Sequence, residues 1–309
     1  MITRTVPAHD AGIARAVGQL AAGGIVALPT ETVYGLAGDA TDAGAVAAIY
    51  AAKGRPGFNP LIVHVADLAA AAALVEVGPV ARVLAERFWP GPLTLVLPAR
   101  RSELAPGVAA GLGTLAVRVP AHPVMREVLR QLGRPLAAPS ANASGGISPT
   151  RADHVRASLD GRIPLILDGG PTSGGLESSI VAVDGDRVRL LRPGGIAADL
   201  LGINAVTDAA TIVAPGQLAS HYAPRQPVRL NALAAAGDEY LLGFGPVAGD
   251  RNLSPAGDLV EAAAGLFDGL HRAQASGRAR IAVAPIPDHG IGAAINDRLR
   301  RAAAPRGDA

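Results

Sequence analysis

Short apolar runs alternate with longer segments of helical periodicity along most of this 309-residue chain. Between Gly24 and about Leu201, Gly and Pro separate apolar runs of strand length from segments whose apolar residues recur every three or four positions. This alternation is typical of an α/β fold, in which helices cover a largely buried sheet. The predicted strands are 25–28, 61–65, 93–97, 115–119, 165–167, 180–183 and 188–191, and the predicted helices are 43–52, 80–88 and 124–132.

A second, smaller domain is predicted after a break in this pattern. Between about 204 and 228 the sequence is rich in Gly, Pro and polar residues, which is typical of an interdomain linker. Beyond it, apolar runs at 240–244 and 281–284 flank a helix that we expect to begin at Ser254-Pro255, giving a βαβ-like unit. We therefore predict a first domain over 1–205, a linker over 206–228 and a small C-terminal α/β domain over 229–309.

The composition excludes several kinds of protein and site. The chain has no cysteine, which excludes disulfides, thiolate metal ligands and a thiol nucleophile. Gly, Pro or a charge interrupts every apolar run before the roughly 20 residues that span a bilayer, and the first twelve residues do not resemble a signal peptide. We therefore expect a cytoplasmic protein without membrane contact. The sequence has neither a Walker A motif nor an HExxH motif, and it predicts no protein-bound metal.

Lys53 is the only lysine among the 28 basic residues. An ammonium is a compact, mobile point charge that can follow a phosphate, whereas a guanidinium requires fixed planar geometry, so position 53 is a candidate for phosphate chemistry. A leftover surface lysine is the alternative. Arg55 and Asn59 follow in the same Gly- and Pro-rich loop, which predicts a cradle for a triphosphate. The net charge of only +2 says little about nucleic-acid binding.

Polar side chains also follow several predicted strands. Thr30-Glu31-Thr32 comes directly after strand 25–28, His64 lies near the end of another strand, and a serine and an asparagine follow the short apolar stretch at 136–138. Ligands of α/β sheets usually bind at the carboxyl ends of strands. Arg118 alternates with two valines, so its guanidinium faces away from theirs, either to solvent or to a ligand carboxylate. Taken singly, each of these signals is weak.

Taken in order, these segments resemble the threonylcarbamoyl-AMP synthase family, whose catalytic part is called the YrdC-like domain. The motifs that carry the resemblance are LPTETVYGL from Leu28, KGRP and NPLIVH from Lys53, WPGPLT from Trp89, AVRVP from Ala116, APSAN from Ala138, RPG from Arg192 and SHYAP from Ser220. The last motif matches the linker of the longer, two-domain form. The C-terminal domain resembles that form chiefly through the short pattern AINDRL at 294–299.

The resemblance implies a twisted YrdC-like α/β domain with a basic cavity, followed by a linker and a smaller Rossmann-like α/β domain. It implies the formation of threonylcarbamoyl-AMP and pyrophosphate from L-threonine, bicarbonate or CO2, and ATP, with Mg²⁺ accompanying the nucleotide. The product would pass to a threonylcarbamoyl transferase complex that modifies an adenosine in tRNA. Direct binding of tRNA to this chain does not follow from the resemblance.

The family's site residues carry over to matching positions of this sequence. Those implied for threonine are Thr32, His64, Arg118, Ala138 and Ser178. Those implied for ATP are Arg55, Asn59, Thr114, Ser140, Asn142, Ser148, Arg192 and the linker residue Tyr222. Lys53 and Arg55 are the predicted catalytic cations, and the linker is predicted to act as a lid.

Two other functions remain open from the residues. The first is an RNA-binding or ribosome-associated protein that uses a basic cavity for backbone phosphates. The low aromatic content, 3%, argues against it because few side chains are available to stack on bases. The second is an enzyme that forms another carbamoyl-adenylate, as in maturation factors with a related domain. The threonine-like set of site residues and the lack of cysteine favour the threonine enzyme.

Overall fold

The computed structural model describes residues 1–100, 103–202 and 221–305. The first-domain strands are β1 Arg4–Pro7, β2 Val26–Leu28, β3 Gly35–Asp39, β4 Ile62–His64, β5 Leu93–Pro98, β6 Thr114–Arg118, β7 Leu136–Ala137, β8 Leu165–Asp168, β9 Ser179–Asp184 and β10 Arg187–Arg192. Its helices are α1 Asp10–Ala21, α2 Ala43–Lys53, α3 Leu68–Leu74, α4 Pro79–Phe88, α5 Pro123–Leu132 and α6 Ala152–Leu159. The second domain contains β11 Val228–Arg229, β12 Glu239–Gly243, β13 Arg251–Asn252, α7 Leu259–Ala275, β14 Arg280–Val283 and α8 Gly292–Ala303.

The first domain is built on one ten-stranded mixed sheet with the order β1-β8-β2-β3-β7-β4-β6-β5-β9-β10. Parallel pairs such as β4 with β6 and β5 with β9 alternate with antiparallel pairs such as β3 with β7 and β5 with β6. The central strands therefore come from distant parts of the sequence. This order brings together the segments that carry the sequence motifs.

Helices cover both faces of this sheet. Side chains alternate across a strand, and in β2 Val26 and Leu28 belong to one apolar cluster whereas Ala27 belongs to the other. The first cluster packs under α1 and α5, and the second packs under α2, α4 and α6. A smaller apolar group, which includes Ile62, Ala116 and Ile180, continues onto the sheet half formed by β4, β6, β5 and β9.

The C-terminal domain is a four-stranded parallel sheet with the order β11-β14-β12-β13. Strands β12 and β14 pair directly, and α7 connects this part of the sheet in a βαβ arrangement. The apolar cluster of this domain also contains Val33, Ile147 and Leu176 from the first domain. One hydrophobic cluster therefore spans the contact between the two domains. Among the helices that the structure describes, none has the length and hydropathy needed to cross a membrane.

The seven strands and three helices predicted for the first domain agree with the structure to within one residue at each end. The same holds for the two apolar runs predicted for the second domain, which form β12 and β14. The predicted start of α7 at Ser254-Pro255 was wrong. The helix begins at Leu259 because Asp258 caps it, its carboxylate accepting hydrogen bonds from Val260 N and Glu261 N. Of the predicted linker 206–228, residues 206–220 lie outside the described residues, and β11 begins at Val228.

Gly175 packs closely against the second domain and yields a prediction. A Cβ there would lie 2.4 Å from the carbonyl oxygen of Ala263 and 2.5 Å from the backbone of Ala264, both in α7, and the φ angle is +70°. Gly170 is a matched control because its φ is +81° but a Cβ would meet nothing within 4 Å. Both changes to alanine cost about 1–2 kcal/mol of backbone strain.

We expect Gly175→Ala to lower the melting temperature clearly more than Gly170→Ala does, because only the former also pushes α7 away. Thermal unfolding of both variants measures the difference, and small-angle X-ray scattering shows whether the domains separate. Equal melting temperatures for the two variants would mean that α7 can move away from position 175 without a loss of stability.

Candidate functional site

A narrow cavity lies over one face of the central sheet. Ile62 and His64 of β4 point to this face, Arg118 of β6 pairs with His64, and Ala138 donates its N–H to the Ile62 carbonyl. Because β7 runs antiparallel to β4, Ala138 lies beside the amino end of β4 rather than at its carboxyl end. The cavity therefore extends across the sheet face and is not confined to the strand ends that the sequence indicated.

The structure brings together most of the residues predicted for threonine and ATP. Those that line the cavity are Thr32, Arg55, His64, Arg118, Ala138, Ser140, Ser178, Arg192 and Tyr222. Those that do not line it are Lys53, Asn59, Thr114, Asn142 and Ser148.

Arg118 is buried, which rules out the solvated alternative. Its Nη1 donates to Thr32 Oγ1 at 3.0 Å, its Nη2 to Glu31 Oε1 at 2.6 Å, and its Nε to the carbonyl oxygen of Gly91 at 3.1 Å. Burial alone would raise the pKa of Glu31, but the Arg118 charge outweighs it and holds this pKa below its usual value. A fixed guanidinium with a hydroxyl at its edge is suited to a ligand carboxylate.

His64 is neutral at physiological pH. Burial, reinforced by the charge of Arg118, lowers the pKa of its imidazole to about 3. Its Nδ1 is buried and has no hydrogen-bond partner among the described residues. A neutral imidazole with an unused nitrogen can hydrogen-bond a ligand that enters the cavity.

Ser178 and Arg192 contact each other because β9 and β10 form an antiparallel hairpin that starts and ends beside the cavity. Arg192 Nη2 donates to the Ser178 carbonyl oxygen at 2.9 Å and to Ser178 Oγ at 3.1 Å. The Ser178 hydroxyl also lies 2.7 Å from Thr94 Oγ1. Residues predicted for two different substrates thus form one hydrogen-bonded group.

Lys53 is 3% exposed, so the alternative of a leftover surface lysine was wrong. Its Nζ donates to the carbonyl oxygens of Ser140 and Asn142, each at 2.5 Å, and ties α2 to the loop that follows β7. Burial, reinforced by the charge of Arg55, lowers its pKa well below the usual value. Arg55, which does line the cavity, donates to the carbonyl oxygens of Asn59 and Pro60, and burial lowers its pKa to about 10.

The remaining residues predicted for ATP lie around the cavity at different distances. Asn142 Nδ2 holds the loop by donating to the carbonyl oxygens of Ala143 and Gly146, each at 2.9 Å. The Ser148 hydroxyl donates to the carboxylate of Glu177. Thr114 begins β6 and lies about 13 Å along the strand from Arg118. Their contact with ATP stays a prediction.

Tyr222 of the linker is buried against the cavity. Its φ angle is +61°, in the left-handed region that non-glycine residues seldom adopt. Burial raises the pKa of its phenol, and its Oη has no hydrogen-bond partner in the part of the chain that the structure describes. The neighbouring His221 also lines the cavity, and burial lowers its pKa to about 3.

Four residues that shape this site were given no binding role from the sequence, although the motifs contain Glu31, His221 and Arg298. Glu31 pairs with Arg118, Glu177 and His221 line the cavity, and Arg298 reaches Glu177 from α8. Glu31 and Glu177 do stand beside predicted site residues, so acidic neighbours of a motif were an available signal. The AINDRL pattern contains Arg298, but spacing alone does not indicate its partner.

Comparisons with known proteins follow the same division of the chain. The Sua5, YciO and YrdC family model, described as telomere recombination, matches residues 18–194, and a model described as threonylcarbamoyl-AMP synthase, C-terminal domain, matches residues 189–304. The threonylcarbamoyl-AMP synthase of Bacillus subtilis strain 168 is 40% identical over 99% of this chain and 96% of its own length. That of Pyrococcus abyssi is 39% identical over 93% of this chain and 92% of its own length.

A solved structure agrees with this fold over both domains. The crystal structure of P. abyssi Sua5 complexed with L-threonine superposes with a TM-score of 0.88 at 35% identity and covers 98% of this chain and 97% of that chain. The expected α/β fold with a second, smaller domain is thereby confirmed. Because the family models and full-length relatives agree with the ordered motifs, this chain belongs to the threonylcarbamoyl-AMP synthase family.

Proposed function

We propose that this chain is an L-threonylcarbamoyladenylate synthase, a nucleotidyltransferase that forms threonylcarbamoyl-AMP and pyrophosphate from L-threonine, bicarbonate or CO2, and ATP. One observation carries the proposal: a single cavity contains the buried guanidinium of Arg118 beside hydroxyls and a neutral histidine, together with two further guanidiniums at Arg55 and Arg192. The first group suits an amino acid, and the second suits phosphates.

The threonine subsite is assigned to the face that Arg118 and His64 share. Arg118 would bind the carboxylate of threonine, since a guanidinium and a carboxylate match in geometry and charge. The hydroxyls of Thr32 and Ser178 are available to the threonine hydroxyl, and the small side chain of Ala138 leaves room beside them. A site that hydrogen-bonds a substrate hydroxyl discriminates strongly against an analogue without it.

The reaction needs no covalent enzyme intermediate. The amine of threonine attacks CO2 to form the N–C bond of a carbamate and loses a proton. A carbamate oxygen then attacks the α-phosphorus of ATP, and the bond from this phosphorus to the bridging oxygen breaks as pyrophosphate leaves. Lys53, Arg55 and Arg192 would offset the charge that develops on the phosphates, so positioning and electrostatics supply most of the catalysis.

Mg²⁺ enters this proposal only as a companion of the ATP phosphates. Among the residues that the structure describes, no group of three or more His, Asp or Glu side chains could hold a metal ion. Glu177 is engaged by Ser148 and Arg298. These residues do not fit a resident metal site, and we assign Mg²⁺ no ligand in the protein.

The linker supplies the lid in this proposal. Tyr222 covers the cavity and would exclude water from the mixed anhydride of the product, which water hydrolyses readily. We further propose that the reaction takes place in the cytoplasm and that the product passes to a threonylcarbamoyl transferase complex for modification of tRNA.

The substrate assignment is tested by measuring pyrophosphate release with ATP, bicarbonate and each of several amino acids. We expect release to require threonine and to fall strongly with valine and glycine, which lack the hydroxyl. Arg118→Lys keeps a positive charge opposite Glu31 but loses the planar fork, so we expect the threonine KM to rise about 10- to 100-fold with little change in the ATP KM.

The matched control is Arg130→Gln, because Arg130 is an exposed arginine of α5 whose loss should leave both KM values unchanged. Equal turnover with threonine, valine and glycine would overturn the threonine assignment. An unchanged threonine KM in Arg118→Lys would remove Arg118 from the carboxylate site.

Lys53 gives a second test of the same proposal. An arginine side chain is too large and too planar to sit between the two carbonyl oxygens that Nζ contacts, so we expect Lys53→Arg to reduce pyrophosphate release at least about tenfold, nearly as much as Lys53→Met does. Steady-state kinetics and thermal melting of both variants provide the measurement. Near-normal release by Lys53→Arg would show that position 53 does not require an ammonium.

A further inference from the structure

Arg298 is a completely buried arginine that the C-terminal domain contributes close to the cavity. Its Nε donates to Glu177 Oε2 at 2.8 Å, its Nη2 to the carbonyl oxygen of Pro193 at 2.9 Å, and its Nη1 to Asp297 Oδ2 at 2.7 Å. Two of these three acceptors belong to the first domain. A buried charge is tolerated only when it has hydrogen-bond acceptors, and here the first domain supplies two of them.

The same guanidinium holds the aromatic ring of the lid. Its central carbon lies 5.0 Å from the centre of the Tyr222 ring, which is within the range of a cation–π interaction. On the same ring, Phe267 of α7 packs at a centroid distance of 5.6 Å. The left-handed backbone of Tyr222 is strained for a non-glycine residue, and these contacts help to hold it there. The C-terminal domain thus provides surfaces that hold the lid tyrosine over the cavity.

Arg298 also controls a negative charge in the cavity wall. Glu177 lines the cavity and accepts hydrogen bonds from both Ser148 and Arg298. Although burial alone would raise the pKa of Glu177, the charges of Arg298 and Arg192 outweigh it and lower this pKa. Without Arg298, a carboxylate that is not fully compensated would face the site assigned to the phosphates and would repel them.

From these contacts we infer that Arg298 is a positioning residue for nucleotide binding, which acts through Tyr222 and Glu177 and gives the C-terminal domain a role in the site. The inference rests on the proposed function for the identity of the nucleotide. The carboxylate end of the threonine subsite has no direct contact with this group, because Arg118 donates to Gly91, Glu31 and Thr32. The effect of Arg298 is therefore larger for ATP than for threonine.

The experiment compares Arg298→Met with wild type in two assays: ATP binding by isothermal titration calorimetry without threonine, and steady-state pyrophosphate release with each substrate varied. We expect ATP binding to weaken and the ATP KM to rise at least about tenfold, while the threonine KM changes less than about twofold. Arg300→Met is the matched control on the same helix, since Arg300 is exposed and its ion pair with Asp288 is long, at 3.9 Å.

The double variant Arg298→Met, Glu177→Gln separates the effect of Arg298 that acts through Glu177 from the effect that acts through Tyr222. Removing the carboxylate should recover about threefold or more of the lost ATP affinity if repulsion by Glu177 contributes, as we infer. If Arg298→Met does not fold, Arg298→Lys replaces it, because lysine keeps a charge beside Glu177 but loses the forked contacts, and the ATP KM should then rise with the threonine KM unchanged.

Two results would overturn the inference: ATP binding like that of wild type in a folded Arg298 variant, or equal losses for ATP and threonine that parallel a lower melting temperature. The second result would indicate a purely structural arginine. Failure of the proposed function looks different, because wild-type protein would then release no pyrophosphate in response to threonine.

Discussion

The site depends on keeping several cations buried around one cavity. Transfer of an ion out of water costs several kcal/mol unless other groups compensate it. Here Glu31 compensates Arg118 and Glu177 compensates Arg298, while Lys53 and Arg55 donate to backbone carbonyl oxygens. Carbonyl dipoles stabilise a cation without cancelling its charge, so the cavity keeps a positive excess. A polyanionic ligand supplies the remaining compensation, and this balance favours phosphates over a neutral ligand in the proposed reaction.

Docking of the second domain and the geometry of the cavity are physically linked. Val33, Ile147 and Leu176 are the first-domain members of the shared hydrophobic cluster, and each precedes or follows a residue of the site. Val33 follows Thr32, Ile147 precedes Ser148, and Leu176 precedes Glu177. Because a packed core resists small displacements, a shift of the C-terminal domain would move these neighbours as well. The domain therefore influences the geometry of the site, although the residues that line the cavity come from the first domain and the linker.

The elements that were predicted correctly are those whose ends are set by residue types next to them in the sequence. Apolar runs bounded by Gly and Pro gave strand ends to within one residue, since those residues interrupt regular structure directly. Strand β3 was not predicted because the small residues of its sequence GLAGD show no clear alternation of apolar and polar side chains. Its Gly38 lies where a Cβ would come within 3.1 Å of Ile49 in α2, so close helix packing explains the small residue. The motifs located the cavity residues, but the pair Arg298 and Glu177 spans 121 residues and follows only from domain docking.

Position 53 shows how the structure can suggest a different physical cause for an inference made from composition. A single lysine in a chain that otherwise uses arginine indicated a requirement for an ammonium, and mobility toward a phosphate was the expected reason. In the structure the ammonium is short enough to fit between two carbonyl oxygens of the loop that carries Ser140 and Asn142. That loop also donates the Ala141 N–H to the Tyr34 carbonyl, so it is tied to the LPTETVYGL motif as well. The compactness of lysine therefore positions the loop of Ser140 and Asn142 relative to the LPTETVYGL motif, and an arginine would disturb this contact without any role for the ammonium at a phosphate.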